Sequence, residues 1–282
     1  MDFTLQKRAR RPWRPFRLAI LQTLLALFAS SSALAGAWTL EPGATQIVSQ
    51  SEAFESDASF DALGAPADGT YRKASFSLAI EHGLFDGITV GGRAEGRITA
   101  ISSDGQDGAN MGLAEVGVSV RGRIWRNDWT VASAQVGYTN ASFQDALTPA
   151  DHIQPTVGDD ASEVDVRALL GHGFQTPWGD GWLNAETAYR LRFNDAVDQA
   201  RFDLTTGMRP SGASRFIFMA QAFGTHALGN GSRSDYDVWK LSPSIGYEFT
   251  PSLTLQIGAT QEVAGRNIEE GRSLFTSVWW TF

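Results

Sequence analysis

Apolar and polar side chains alternate along most of the chain from residue 71 to the last residue. In a β-strand successive side chains point to opposite faces, so this period of two marks strands with one apolar and one polar face. Ala74, Phe76, Leu78 and Ile80 oppose Lys73, Ser75, Ser77 and Glu81. Ile88, Val90, Ala94 and Ile98 oppose Thr89, Arg93, Glu95 and Arg97, and Val116, Val118, Val120 and Ile124 oppose Glu115, Ser119, Arg121 and Arg123. Val164, Val166, Ala168 and Leu170 oppose Glu163, Asp165 and Arg167, while Leu183, Ala185, Tyr189, Leu191 and Phe193 oppose Asn184, Glu186, Arg190 and Arg192. Phe202, Leu204 and Met208 oppose Arg201, Asp203 and Arg209. Trp239, Leu241, Ile245, Tyr247 and Phe249 oppose Lys240, Ser242, Ser244 and Glu248, and Leu253, Leu255 and Ile257 oppose Thr254, Gln256, Thr260 and Glu262. The last stretch places Leu274, Thr276, Val278, Trp280 and Phe282 on one face. Segments 45–55, 129–141 and 214–226 alternate weakly; counted with the rest they give twelve expected strands.

The connections decide how these strands assemble. Leu84–Gly87, Arg126–Asp128, Thr176–Asp180, Ser211–Ala213 and Thr250–Ser252 are short and built of Gly, Pro, Asn and Asp, which favour turns through positive φ, fixed φ or side-chain hydrogen bonds. The links between them, 56–70, 102–110, 142–160, 194–199, 227–235 and 264–270, are mostly longer. Short and long links in alternation are the pattern of a transmembrane, up-and-down antiparallel β-barrel with turns on the periplasmic side and loops outside. A soluble sandwich has no reason to put every short link on one side. Phe85, Trp125, Trp129, Phe174, Trp182, Phe249 and Phe282 fall near the short-turn ends, and Tyr71, Tyr138, Phe143, Phe193, Phe223, Tyr236 and Trp239 near the loop ends. Two such belts are expected at the two headgroup layers. The expected fold is therefore an all-β membrane barrel of about twelve strands over residues 36–282, with both ends of that span periplasmic.

Residues 1–35 read differently. Six bases (Lys7, Arg8, Arg10, Arg11, Arg14, Arg17) precede the apolar run Leu18–Ala29, and Ala33-Leu34-Ala35 closes the segment. A basic stretch, a short apolar stretch and an A-x-A site make a secretory signal peptide, with cleavage expected after Ala35. The run is too short to cross a bilayer as a helix, and no apolar run of 18 residues follows it. The whole chain carries a formal charge of −8, and the part beyond residue 35 carries −13. That acidity argues against nucleic acid as a partner, and the absence of Cys excludes disulfides and thiolate metal sites.

Two resemblances follow from these residues. Trp280 and Phe282 end a strand that resembles the C-terminal strand of bacterial outer-membrane barrels, which implies recognition by the barrel-assembly machinery and an integral place in outer-membrane lipid. Trp38-Thr39-Leu40-Glu41-Pro42-Gly43, Gln46-Ile47, Phe60-Asp61-Ala62-Leu63-Gly64 and the hairpin Glu81-His82-Gly83-Leu84-Phe85-Asp86-Gly87-Ile88-Thr89-Val90 resemble the XagA-like outer-membrane proteins and, more distantly, the phenol-degradation-associated barrels. The resemblance is strongest over residues 37–95. It implies the barrel fold and an envelope role linked to exopolysaccharide production, and it brings no catalytic residues.

The polar face is dense in charge. Its bases are Lys73, Arg93, Arg97, Arg121, Arg123, Arg167, Arg190, Arg192, Arg201, Arg209 and Lys240; its acids are Glu81, Glu95, Glu115, Glu163, Asp165, Glu186, Asp203, Glu248 and Glu262. Inside a barrel this set reads either as a channel lining for small polar solutes or as ion-pair ladders that fill the lumen. Aligning Ile88 with Ile124 puts Arg97 opposite Glu115. A turn centred on Pro177-Trp178 puts Asp165 opposite Arg190 and Glu163 opposite Arg192, and a further step puts Arg192 opposite Asp203. The long links hold fourteen acids and two bases, a surface on which divalent cations are expected to gather, although Asp104-Gly105-Gln106-Asp107-Gly108 lacks the closing Glu of a calcium loop. No cofactor or metal site is expected. The alternative to a non-enzymatic channel or accessory barrel is a lipid hydrolase: His226–Ser234 is similar to the active-site cluster of outer-membrane phospholipase A. Leu228 stands where that family has its nucleophilic Ser, and Ser232 and Ser234 are the remaining hydroxyls of the segment.

Overall fold

The computed structural model describes residues 36–60, 66–103, 106–141, 161–194, 196–229 and 235–282. The expected signal peptide, residues 1–35, lies outside them. Twelve strands form one closed antiparallel barrel: β1 (Thr45–Phe60), β2 (Pro66–Phe85), β3 (Ile88–Ser103), β4 (Gln106–Arg126), β5 (Thr130–Asn140), β6 (Ser162–Thr176), β7 (Gly179–Arg192), β8 (Gln199–Pro210), β9 (Phe216–Ala227), β10 (Asp237–Thr250), β11 (Leu253–Arg266) and β12 (Ile268–Thr281). Each strand pairs with its sequence neighbours, and β1 closes on β12 from Gln46↔Thr281 to Phe60↔Ile268. Closure leaves no unpaired edge, which lipid would not tolerate.

Alternation sorts the side chains between two solvents. Outside stand Phe76, Val118, Val120, Ile124, Val166, Leu204, Ile257 and Leu274, all well exposed; Ile124 reaches 72% and Leu274 69%. In water an apolar surface of this extent would be anomalous; around a closed barrel it is the lipid-facing band. Inside, the buried set is mostly polar, with Thr89, Arg121, Ser133, Asn184, Glu186, Ser244, Gln256 and Ser277 among it.

Several expectations need correction. Two of the loop-end connections are shorter than the expected links 102–110 and 264–270. β3 runs to Ser103 and β4 resumes at Gln106, while β11 and β12 are joined by Asn267 alone, at φ 52. Beyond the lipid a strand needs no apolar face, so polar segments there continue the ladder without a period-two signature. Two of the proposed pairs also fail. In β3–β4 the register runs Ile88↔Gly122 and Glu95↔Glu115, then shifts at a bulge between Glu95 and Gly96, so Arg97 lies opposite Gly112. A bulge adds one residue to one strand, and aligning two apolar residues cannot reveal it. In β7–β8 Glu186 faces Asp203 and Arg190 faces Gln199, because the ladder stops at Arg190↔Gln199 and leaves eight residues between the paired positions rather than six. Tyr71 packs edge-on against Phe54 at 6.0 Å, Phe223 lines the lumen cavity, and the Trp182 ring lies over Gly207. These three rings therefore leave the lipid belts. Phe85, Trp125, Trp129, Phe249 and Phe282 are exposed near the turn end, and Tyr138, Phe193 and Trp239 near the loop end. Phe143 lies outside the described residues.

Candidate functional site: the barrel lumen

Three structures occupy the lumen: a wall of ion pairs, an N-terminal segment and a cavity. The wall is densest on β6–β8. Asp165 faces Arg190 and Glu163 faces Arg192. Arg190 reaches Glu163 at 3.1 Å and Asp165 at 3.4 Å, and Arg192 reaches Glu163 at 3.6 Å. Arg167 is the hub, donating to Asp165 at 2.6 Å, Glu186 at 3.1 Å and Asp203 at 3.3 Å. Arg201 stands 3.6 Å from Asp203. Two-residue spacing along one strand makes Arg167–Asp165 and Arg201–Asp203 neighbours on one face, so ladder and strand pairs merge into a network.

The remaining charges extend this pattern. Arg93 pairs with Glu115, and Arg97 with Glu95 at 2.8 Å. Arg121 spans from Glu81 on β2 to Gln135 on β5. Arg123 holds Asp86 in the β2–β3 turn at 2.7 Å, which keeps that carboxyl below its ordinary pKa, first by the hydrogen bond and then by the guanidinium charge. Arg209 reaches over β9 to Glu248 on β10 at 3.2 Å, and Lys240 meets Glu262 at 2.7 Å. Lys73 has no carboxylate within 4 Å among the described residues; its ammonium lies 5.2 Å from the Phe54 ring centre.

Sequence reasoning missed the second structure. Residues 36–43 enter the turn end of the lumen and touch β2 through β7 in succession, half of the barrel's circumference. Gly43 donates to the Gly83 carbonyl at 2.8 Å, Leu40 donates to Thr89 Oγ1 at 2.8 Å, and Arg121 donates to the Trp38 carbonyl at 3.0 Å. Ser133 donates to the Ala37 carbonyl, and Ala37 donates to Asn184 Oδ1 at 3.4 Å. Ala37 is fully buried against Val131 and Leu169, with Trp38 packed beside it. Two glycines admit the segment: a Cβ on Gly83 would stand 2.0 Å from the Glu41 carbonyl oxygen, and one on Gly171 would stand 2.7 Å from the Trp38 ring. The signal was present in Trp38 and the lone Leu40 before the first strand, but nothing in a single sequence says that an apolar pair there turns into a polar lumen.

On the opposite arc, β9–β12 with β1 and β2, lies a cavity of about 310 Å³. Gln50, Glu52, Lys73, Gln221, Lys240, Gln256 and Glu262 give it polar walls; Phe54, Phe223 and Phe275 give it apolar ones. Toward the turns, Gln46, Ile217, Met219, Ser277 and Trp279 are buried and fill that arc. Glu52 escaped notice because 45–55 alternates weakly: its outward positions are the small Ser49, Ser51 and Ala53.

The hydrolase cluster is only partly visible. His226 donates through Nδ1 to Asp237 on the facing strand, Leu228 is exposed, and Asn230, Ser232 and Ser234 lie outside the described residues. Among the described residues no three His or acidic side chains gather in a metal-holding group. Many of the acidic link residues, Asp104 among them, also lie outside.

No protein-family model and no curated protein sequence matches the chain. Solved structures do. The COG4313 outer-membrane channel from Pseudomonas putida F1 superposes with a TM-score of 0.69 at 14% identity, over 89% of this chain and all of that one. The translocator domain of the autotransporter NalP from Neisseria meningitidis gives 0.52 at 12% identity, over 95% and 96% of the two chains. The β-domain of the Bordetella autotransporter BrkA gives 0.53 at 15% identity, over 86% and 100%. The chain thus shares the fold of bacterial outer-membrane β-barrels.

Proposed function

We propose that this chain is a non-enzymatic channel of the bacterial outer membrane that passes small polar solutes through a lumen narrowed at its turn end by residues 36–43. The carrying observation is the division of the lumen. One arc is neutralised by ion pairs and covered by the N-terminal segment, while the other keeps a polar cavity of about 310 Å³. A barrel whose only task was to brace the membrane would gain nothing from a polar void, whereas a solute path requires one. The likeness to the COG4313 channel agrees with this reading. In it the short turns and residues 36–43 face the periplasm, and Trp280 and Phe282 present their exposed rings to lipid and to the assembly machinery. The exopolysaccharide link implied by residues 37–95 would make the solute, or the process served, part of surface-polymer export.

The test is conductance in planar bilayers. A chain starting at Gly36 and one starting at Ala44 are folded in parallel. The longer chain gives small, fluctuating currents and the shorter one larger, steadier currents. Silence from both chains in their folded form would refute the channel.

A further inference from the structure

Lys73 is the exception in this lumen. Each of the other predicted polar-face charges has an opposite charge within 4 Å. Lys73 has none among the described residues, and neither does Glu52, which shares its cavity. The two charged groups line the cavity without meeting within 4 Å. Lys73 lies directly opposite Phe54, and Glu52 lies opposite Ser75, so acid and ammonium are diagonal neighbours on adjacent strands. Diagonal neighbours lie about 7–8 Å apart, close enough for long side chains to meet, yet here the ammonium and the carboxylate do not, and a small group bearing both charges fits between them. The second charge pair of the cavity is already satisfied: Glu262 takes Lys240 on one oxygen and the Gly271 amide, at 3.0 Å, on the other. Ser273, on the same wall and only 4% exposed, has a buried hydroxyl without a hydrogen-bond partner. Phe54, Phe223 and Phe275 supply apolar surface in the same space.

From this arrangement we infer that the cavity binds a zwitterionic α-amino acid with an apolar side chain. Its carboxylate meets Lys73 and its ammonium meets Glu52; Ser273 adds a hydrogen bond, and the phenyl rings take the side chain. Simpler ligands leave something unsatisfied. A monocarboxylate leaves Glu52 without a cation, an amine leaves Lys73 without an anion, and a neutral sugar answers neither charge. The cavity lining is itself neutral, with Glu52 and Glu262 against Lys73 and Lys240, so a ligand of zero net charge preserves the balance. Its volume lies at the low end of ligand pockets, roughly 300–1,000 Å³, which suits one amino acid better than a chain of units. The inference rests on the lumen being a solute path and names the solute.

The experiment is calorimetric titration of the folded chain in detergent at neutral pH with L-phenylalanine, phenylacetate, phenethylamine and glucose. L-Phenylalanine binds, and the other three bind at least tenfold more weakly. Lys73→Met and Glu52→Gln each weaken L-phenylalanine at least tenfold, with folding checked by the heat-dependent gel mobility of intact barrels. Phe223→Ala leaves both charges in place, so it tests the site even where a charge variant does not fold; it weakens L-phenylalanine and spares glycine. Phenylacetate, phenethylamine or glucose binding as tightly as L-phenylalanine overturns the inference, and so does the absence of any binding. Conductance recorded on the same preparation separates the two claims. A conducting barrel that binds no amino acid refutes the inference alone, whereas a folded barrel that binds but never conducts refutes the channel.

Discussion

Replacing Arg167 by Met tests whether the wall of the lumen is held by its charges. Arg167 is half-buried, and it donates to Asp165, Glu186 and Asp203 at 2.6, 3.1 and 3.3 Å. The side chains of those acids are only 9%, 5% and 12% exposed. Methionine keeps most of the volume and removes the charge, leaving three carboxylates around an uncharged side chain. Arg190 and Arg201 still screen two of them, but Glu186 loses its one ion-pair partner among the described residues. Removing one partner of a buried ion pair costs about 3–5 kcal/mol, because the other partner stays buried and unpaired. The control is Arg272→Met. Arg272 pairs with Glu55 at 2.7 Å with side chains 67% and 47% exposed, and an exposed pair is worth about 0–1 kcal/mol. Urea unfolding in lipid vesicles, followed by tryptophan fluorescence, measures both. At about 1.4 kcal/mol per tenfold change in equilibrium, Arg167→Met shifts the folded-to-unfolded ratio by roughly two to three and a half orders of magnitude; the control shifts it by less than about one. Equal, small losses would refute the reasoning: the hub would then be as hydrated as the rim, and the network would be a row of solvated charges.

Val118→Arg on the lipid face, where Val118 is 62% exposed, costs about 2–4 kcal/mol if that position lies near the midplane; the same unfolding assay reads it, and a loss near zero would place β4 outside the lipid. Gly171→Ala puts a Cβ 2.7 Å from the Trp38 ring and so displaces the N-terminal segment while the sheet stays paired; single-channel current rises and unfolding stability changes little, and an unchanged current would show that the segment does not narrow the path. Asp86 has its pKa depressed by Arg123, so its contribution to stability is complete above the ordinary carboxylate pKa of about 3.9 and fades as pH falls through the lower folded value. The difference between wild type and Asp86→Asn is therefore constant at neutral pH and vanishes in acid; a difference that grows on acidification would reverse the assigned sign.

The strands were legible because two solvents write the same period into them. Val116, Val118 and Val120 against Ser119 and Arg121 mark one apolar and one polar face, which the closed barrel makes lipid and lumen. That grammar stops where the lipid stops. The stretch from Gln106 to Asn110 and the turn at Asn267 continue the ladder with polar residues on both faces, so they looked like loops. Register was legible at Thr176–Gly179, where a tight turn leaves one choice, and Asp165↔Arg190 followed from it. It was illegible at Glu95–Gly96, where the bulge changes the offset along the strand. The site divides in the same way. Charges with alternating apolar neighbours declared their face, but Glu52 sits in a strand whose outward positions are mostly small. Phe54, Phe223 and Phe275 are apolar residues turned inward, against the pattern that located everything else.

The route by which the lumen opens follows from what is tethered and what is not. Every strand is hydrogen-bonded on both sides, so widening the wall would break a ladder in lipid, where the freed groups find no water. Residues 36–43 run covalently into β1 and hold β2 through Gly43 and the Gly83 carbonyl, and their other polar contacts run largely from the backbone of the segment: the Trp38 and Ala37 carbonyls and the Leu40 amide. Such contacts are exchangeable for water in a hydrated lumen, where a hydrogen bond is worth about 0.5–1.5 kcal/mol net rather than its full strength. The pivot is Gly43, at φ 84 with open space around the position of a Cβ, within the Glu41–Ala44 turn that precedes β1. Departure of the segment would uncover Arg121, Ser133, Thr89 and Asn184, side chains that can all turn to water, together with apolar surface on Ala37, Trp38, Leu40, Val131 and Leu169. The segment is thus the part of this fold that moves at lowest cost, and in the channel proposed above opening would consist of its leaving rather than of the barrel changing shape.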